Sequence, residues 1–290
     1  MSGVGVVNVI DAHVHFWDPA LLRYPWHDAE PSLQRAYLPE EFGPLSDGSV
    51  DAVVFVQADC DPTKSGREVQ WVERLAGREP RIVGIVAFVD LLDELHRGAT
   101  LDRLAESPLV VGVRHNIQGH EAGFALHDAF VRGVQAVGER GLSFDLCITG
   151  GQLAEVTDLV SRCPRTHFVL DHCGKPAIRD DVFEPWAGQI EQLASHAGVH
   201  CKLSGLLTEA RADQRTVEGV RPYAEHVMRC FGASRLIYGS DWPVATLGGG
   251  AELWRMITDE LTSPWSDTDR RAFYVGNAVR FYRLKVKSNG

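Results

Sequence analysis

The chain of 290 residues has no apolar run near the ~18 residues that a membrane span requires, so no membrane partner is expected. Residues 1–13 lack a basic stretch followed by a long apolar one, which predicts no secretory signal and a cytoplasmic protein. Basic charge is scarce: 29 Lys and Arg stand against 39 Asp and Glu. Binding to phosphate backbones needs clustered cations, so nucleic acid is not an expected partner. None of the six cysteines forms a C-x-x-C pair, and several sit in apolar runs such as residues 144–149, which predicts reduced, buried thiols. No G-x-S-x-G elbow is present, so a serine-hydrolase mechanism has no support. No G-x-G-x-x-G or P-loop follows a strand-like run, so no nucleotide cofactor is expected. No linker rich in Pro, Gly or Ser divides the chain.

What is present is repetition. Short β-branched, apolar runs occur at residues 6–10, 53–56, 82–88, 110–113, 142–148, 167–170, 199–203 and 236–238. Helical spacing of apolar residues occurs between several of them, at 68–75, 126–137, 152–159, 185–194 and 223–230. Strands alternating with helices imply parallel βαβ units. Eight units point to an α/β chain closed as a distorted (β/α)8 TIM barrel, a single domain over residues 1–290. An open doubly wound sheet is the competing architecture. Residues 17–44, rich in Pro and aromatics, form a long insertion after the first strand and are expected to cover the active face. The glycine run 248–250 reads as a loop, and the polar tail 285–290 is expected to fray.

Polar residues concentrate just after the strand-like runs, which in a barrel all end at one mouth. His13 and His15 are two positions apart, so on a strand both imidazoles point the same way. Such a pair can chelate a divalent metal or hydrogen-bond a substrate oxygen; it can also be two hydrogen-bonded core histidines. Asp241 follows the last strand and precedes Trp242 and Pro243, a position for a partly desolvated base that accepts a proton from water. As an N-cap it would be merely structural. His172, in the stretch Asp171-His172-Cys173-Gly174-Lys175-Pro176, is expected at the rim as a ligand, an electrophile or a structural residue. Arg114, Asn116, Lys175 and Lys202 are candidates for binding substrate oxygens, or for salt bridges. Trp17 and Trp242 are candidates for an apolar wall, while for Trp26 core packing is an equal alternative.

Three strings in order carry a resemblance: Ile10-Asp11-Ala12-His13-Val14-His15-Phe16-Trp17-Asp18-Pro19, Phe168-Val169-Leu170-Asp171-His172-Cys173-Gly174-Lys175-Pro176 and Ile237-Tyr238-Gly239-Ser240-Asp241-Trp242-Pro243. Together they resemble the amidohydrolase-2 branch of the amidohydrolase superfamily. Within it they are similar to the sugar-lactone hydrolases, the fucono- and rhamnono-lactonases, and to their 2-pyrone-4,6-dicarboxylate lactonase relatives. The resemblance implies a TIM barrel that hydrolyses a small-molecule lactone. It implies that His13 and His15 match the first-strand pair, His172 the sixth-strand histidine, and Asp241 the aspartate that activates water.

The chain departs from the two-metal members of the superfamily. Its fourth run ends Arg114-His115-Asn116 without an evident bridging group, and its fifth, Asp145-Leu146-Cys147-Ile148-Thr149, has no His. Two metals are therefore not expected. One divalent ion, zinc, held by His13, His15, His172 and Asp241 is the expected cofactor, and the resemblance implies that it can be dispensable. Two other readings stay open: a metal-dependent decarboxylase of the same branch, and a non-catalytic barrel that binds a small molecule. The lactone's identity and the oligomeric state are not legible.

Overall fold

The computed structural model describes residues 8–286. Eight strands make one parallel sheet in sequential order: β1 (Ile10–Val14), β2 (Ala52–Val56), β3 (Ile82–Ala87), β4 (Val110–Val113), β5 (Ser143–Leu146), β6 (His167–Leu170), β7 (Val199–Leu203) and β8 (Leu236–Tyr238). Their residues are almost all buried, because a barrel strand faces the interior on one side and the helix layer on the other. The seam between first and last strands closes just above β8. Val14 bridges Trp242 in parallel, Asp241 N–H donates to the His13 carbonyl at 2.9 Å, and His15 N–H donates to the Trp242 carbonyl at 2.8 Å. The barrel is thus closed through the residues that carry its chemistry.

The helices are α1 (Gly43–Ser46), α2 (Ser65–Ala76), α3 (Arg97–Glu106), α4 (Asp128–Glu139), α5 (Leu153–Arg162), α6 (Trp186–Ala194), α7 (Val217–Phe231), α8 (Ala251–Leu261), α9 (Asp267–Arg271) and α10 (Asn277–Tyr282). No helix among the described residues is long and apolar enough to cross a membrane. Seven of the expected strands lie where β-branched runs predict them, within a few residues at each end. The first lies further on than residues 6–10, two of which fall outside the described residues. Because β1 runs to Val14, His13 is inside the strand rather than beyond it. The tail beyond 286 also lies outside the described residues. Each of the six cysteines is free, and all but Cys230 are buried.

Insertion 17–44 lies against the barrel's C-terminal mouth. Its anchor is Trp17, wholly buried, whose indole N–H is shared by the carbonyls of Leu33 at 3.1 Å and Arg35 at 2.9 Å. Trp17 and Tyr37 exchange backbone hydrogen bonds, and Tyr24, Trp26 and His27 pack around the indole. Large aromatic surfaces buried with their polar tip satisfied give a loop a small core of its own. Trp26 then donates to the Ala58 carbonyl at 2.8 Å, which pins the insertion over the end of β2.

Glu68 of α2 lies wholly buried beneath this mouth and accepts a hydrogen bond from Ala58 N–H. Burial pushes its carboxyl up to about 8, against an ordinary 4.5. Between those values the folded chain keeps a proton that the unfolded chain releases, so stability falls as pH rises through this window. Glu68→Gln is therefore expected to raise Tm at pH 8, by an increment worth on the order of a few kcal/mol. At pH 4.5 or below it should change Tm little. Thermal melts of both proteins at the two pH values check this; equal melts at pH 8 contradict it.

Candidate active site

Period-two alternation builds the site. Along the first strand Asp11, His13 and His15 share a face; along β5 and its extension Asp145 and Cys147 do; along β7 Lys202 and Ser204 do. His15 Nδ1 is 2.7 Å from the Val56 carbonyl, which can only accept. The proton therefore sits on Nδ1, and the Nε2 lone pair faces the mouth. His13 Nε2 lies 3.2 Å from His15 Nε2. Asp241 Oδ1 stands 3.4 Å from His15 Nε2, 3.7 Å from His13 Nε2 and 3.9 Å from His172 Nε2. The structure brings together the four residues the motifs single out, from β1 at one end of the chain and the turns after β6 and β8 at the other.

Two of them are held in left-handed backbone, with φ of 53° at His172 and 65° at Asp241. Asp59, which also lines the cavity, has φ 58°. Non-glycine residues pay about 1–2 kcal/mol each for this conformation. Such strain collects where a side chain must be aimed rather than merely packed. After β6 it turns the His172 ring back over the barrel, where Ser204 Oγ meets its Nδ1 at 2.9 Å.

The electrostatics separate the groups. Burial lowers His172 to about 4 despite Asp241, and burial with the Lys202 charge lowers His13 well below the ordinary histidine value. Burial also opposes ionisation of Asp241, but His172, His15 and His13 outweigh it and hold the carboxyl well below the usual range. Asp241 is thus an ionised carboxylate at neutral pH, beside His13 and His172, on which burial disfavours charge.

Above these groups opens a cavity of about 210 Å³, lined by His15, Trp26, Asp59, Arg114, Asn116, Gln118, Cys147, Lys175, His172 and Asp241 among others. Arg114, Asn116 and Lys175 thus lie where a substrate would touch them. Lys202 does not: its side chain is wholly buried beneath the site, at 2.6 Å from Asp145 Oδ2 and 3.0 Å from Asp171 Oδ1. Trp17 and Trp242 are not in the wall either. Trp17 is the core of the insertion, and Trp242 packs against Phe16, Tyr37 and Phe42. Trp26 takes the place expected of them. Cys147 reaches the cavity, but burial pushes its thiol up, so it is a poor nucleophile.

Asp145 and Asp171, the partners of Lys202, were not singled out from the sequence. Their signal was a carboxylate at the inward parity of an apolar strand, which can only be stable beside a buried cation. Asp171 also pairs with Arg114 Nη1 at 3.3 Å and lies 3.3 Å from His13 Nδ1. Lys202, Arg114 and His13 hold its carboxyl well below the usual range against burial, and Lys202 in turn sits above the ordinary lysine value against its own burial.

The donor set suits a divalent ion. Zinc bonds of about 2.0–2.1 Å put tetrahedral ligand atoms roughly 3.3–3.4 Å apart, near the separations observed here. Ligand atoms of His13, His172 and Asp241 all fall within 4.8 Å of one another.

Residues 10–284 match the family model described as amidohydrolase. An L-fucono-1,5-lactonase of Burkholderia ambifaria is 34% identical over 284 residues, 95% of each chain. Another, of Burkholderia multivorans, is 35% identical over 95% of this chain and 96% of its own. A crystal structure of an amidohydrolase from Burkholderia multivorans with bound zinc superposes with a TM-score of 0.85 at 30% identity, covering 95% of this chain and 99% of that one. The eight-stranded barrel, the inward pair from β1 and the full-length matches agree: the chain belongs to the amidohydrolase family.

Proposed function

We propose that the protein hydrolyses a sugar lactone, with Asp241 as the base that activates water. The observation that carries this reading is the convergence of three imidazole Nε2 atoms within 3.9 Å of one Asp241 oxygen, at the floor of a cavity walled by polar groups. Full-length similarity to two L-fucono-1,5-lactonases supports it.

The lactone lies over the mouth with its ring against Trp26. Asp241 takes a proton from water as the oxygen attacks the ester carbonyl. His13 and His172 face the position of the carbonyl oxygen and stabilise the charge that develops there. Asp241 then returns its proton to the leaving alkoxide, and ring opening gives the hydroxy acid. A zinc ion, held by His13, His172 and Asp241 rather than by the four residues expected with His15, would supply Lewis-acid polarisation and a more acidic water. An ester carbonyl is electrophilic enough for the same residues to act without it.

The wall favours a neutral polyol. Lys175 Nζ is tied to Gln118 Oε1 at 2.5 Å, and Arg114 is committed to Asp171 and, at 2.6 Å, the Gln57 carbonyl. Asp59 has no ion-pair partner among the described residues, and Asn116 Oδ1 is buried without a hydrogen bond. Unpaired acceptors are what a hydroxyl-rich ligand satisfies and an anionic one does not. Free thiols support a reducing, cytoplasmic setting.

A pH-indicator screen of neutral aldonolactones and anionic lactones, with and without chelator, tests this reading. Turnover of neutral aldonolactones, exceeding that of anionic lactones, is expected. Carbon dioxide release from aromatic acids with no lactone turnover would replace it with a decarboxylase.

A further inference from the structure

The buried ammonium of Lys202 has three neighbours: Asp145 Oδ2 at 2.6 Å, Asp171 Oδ1 at 3.0 Å and His13 Nδ1 at 3.1 Å. An ammonium carries three donors and no acceptor. Facing it, His13 Nδ1 must present its lone pair, which leaves the imidazole proton on Nε2. On the other side of the ring a donor and an acceptor compete for Nε2: Arg114 Nη1, which can only donate, lies at 3.4 Å, and His15 Nε2 lies nearer. His15 holds its own proton on Nδ1, toward the Val56 carbonyl, so its Nε2 is an acceptor 3.2 Å from His13 Nε2. A proton on His13 Nε2 completes the shorter of the two contacts, and Arg114 Nη1 keeps Asp171 Oδ2, at 3.3 Å, as its acceptor.

We propose that Lys202 is a positioning residue that fixes His13 as the Nε2–H tautomer, making it a hydrogen-bond donor toward the mouth and a weak metal ligand. The alternative tautomer has a ready acceptor in Asp171 Oδ1, 3.3 Å from His13 Nδ1. Adopting it frees the Nε2 lone pair for a cation and costs the ring its bond from Lys202. Lys202 and Asp171 thus compete for one nitrogen, and their balance sets how tightly the site holds a metal. Ligating histidines ordinarily donate their second N–H to a carboxylate or carbonyl, and altering such partners changes metal affinity by about 10–100-fold. Here the carboxylate is in place and a cation overrides it. The inference rests on donor geometry and is independent of the substrate.

The test reads the tautomer directly. In chelator-treated, histidine-¹⁵N-labelled protein, long-range ¹⁵N–¹H spectra, with His13 assigned from the missing signals of His13→Gln, should show the proton on Nε2. A proton on Nδ1 overturns the proposal. The second arm is Lys202→Met with Asp145→Asn, which removes one cation and one anion together and leaves Asp145's other partner, Tyr282 Oη at 2.9 Å, with an acceptor. His13 should move its proton to Nδ1, and zinc affinity, titrated with zinc alone by calorimetry, should rise at least tenfold. An unchanged tautomer with unchanged zinc affinity overturns the proposal. Should the double variant not fold, the wild-type spectrum still decides.

Discussion

Asp241→Asn is expected to lose a factor of about 10²–10⁴ in kcat, the usual contribution of a positioned general base, while remaining folded. The amide has the same shape as the carboxylate, and Asn tolerates left-handed backbone as well as any side chain other than Gly. The bond from its N–H to the His13 carbonyl, which closes the barrel, is unaffected. What is lost is the capacity to accept a proton from water and return it to the alkoxide. Because the three imidazoles keep Asp241 ionised, the wild type has its base in the active form throughout the neutral range. Steady-state kinetics on the preferred lactone, alongside a thermal melt, check this. Near-wild-type turnover by a folded Asp241→Asn protein would remove Asp241 from the mechanism.

Gly205→Ala is expected to lower kcat/KM by about 10² without altering a group that touches substrate, since a 1 Å misplacement can cost that much. Gly205 has φ +68°, and a Cβ there would stand 2.7 Å from His172 Cγ and Nδ1. The ring has little room to yield. Ser204 holds its Nδ1, and the His13 ring packs on it with centroids 4.4 Å apart. The added methyl must therefore displace the Nε2 that faces Asp241. Gly48→Ala is the control. Gly48 has φ +79° with nothing within 4 Å of a Cβ, and it lies at the opposite end of the barrel, before β2. It should lose about 1–2 kcal/mol of stability, as left-handed backbone requires, with kinetics unchanged. Equal loss of activity in both variants would show that global strain, not the His172 contact, is responsible.

Much of the architecture is local information. Seven strands follow from short β-branched runs, because a parallel barrel strand is buried on both faces and reads as a largely apolar run. The first strand was harder to delimit. Polar Asp11 and His13 interrupt its apolar pattern, since they face a mouth that only the other strands create. Pairing of His13 with His15 was legible for the same reason that strands are: alternation with period two needs no knowledge of the rest of the chain.

By itself, then, the sequence determined the alternating α/β order, the eight strands and the residue types His13, His15, His172 and Asp241 that the motifs single out. Tertiary structure alone decided depth. Arg114 and Lys175, after strands, and Lys202, near the end of one, are indistinguishable as cations. Yet Lys202 sinks beside Asp145, 57 residues away, and His13, 189 residues away, while Lys175 reaches the cavity. Trp17 and Trp26 are likewise similar in sequence, but one satisfies its indole inside the insertion and the other at the cavity wall. A charge or a ring is stable at a given depth only if a partner from a distant strand is already there. That partner is supplied by closure of the barrel, which no local pattern of residues encodes.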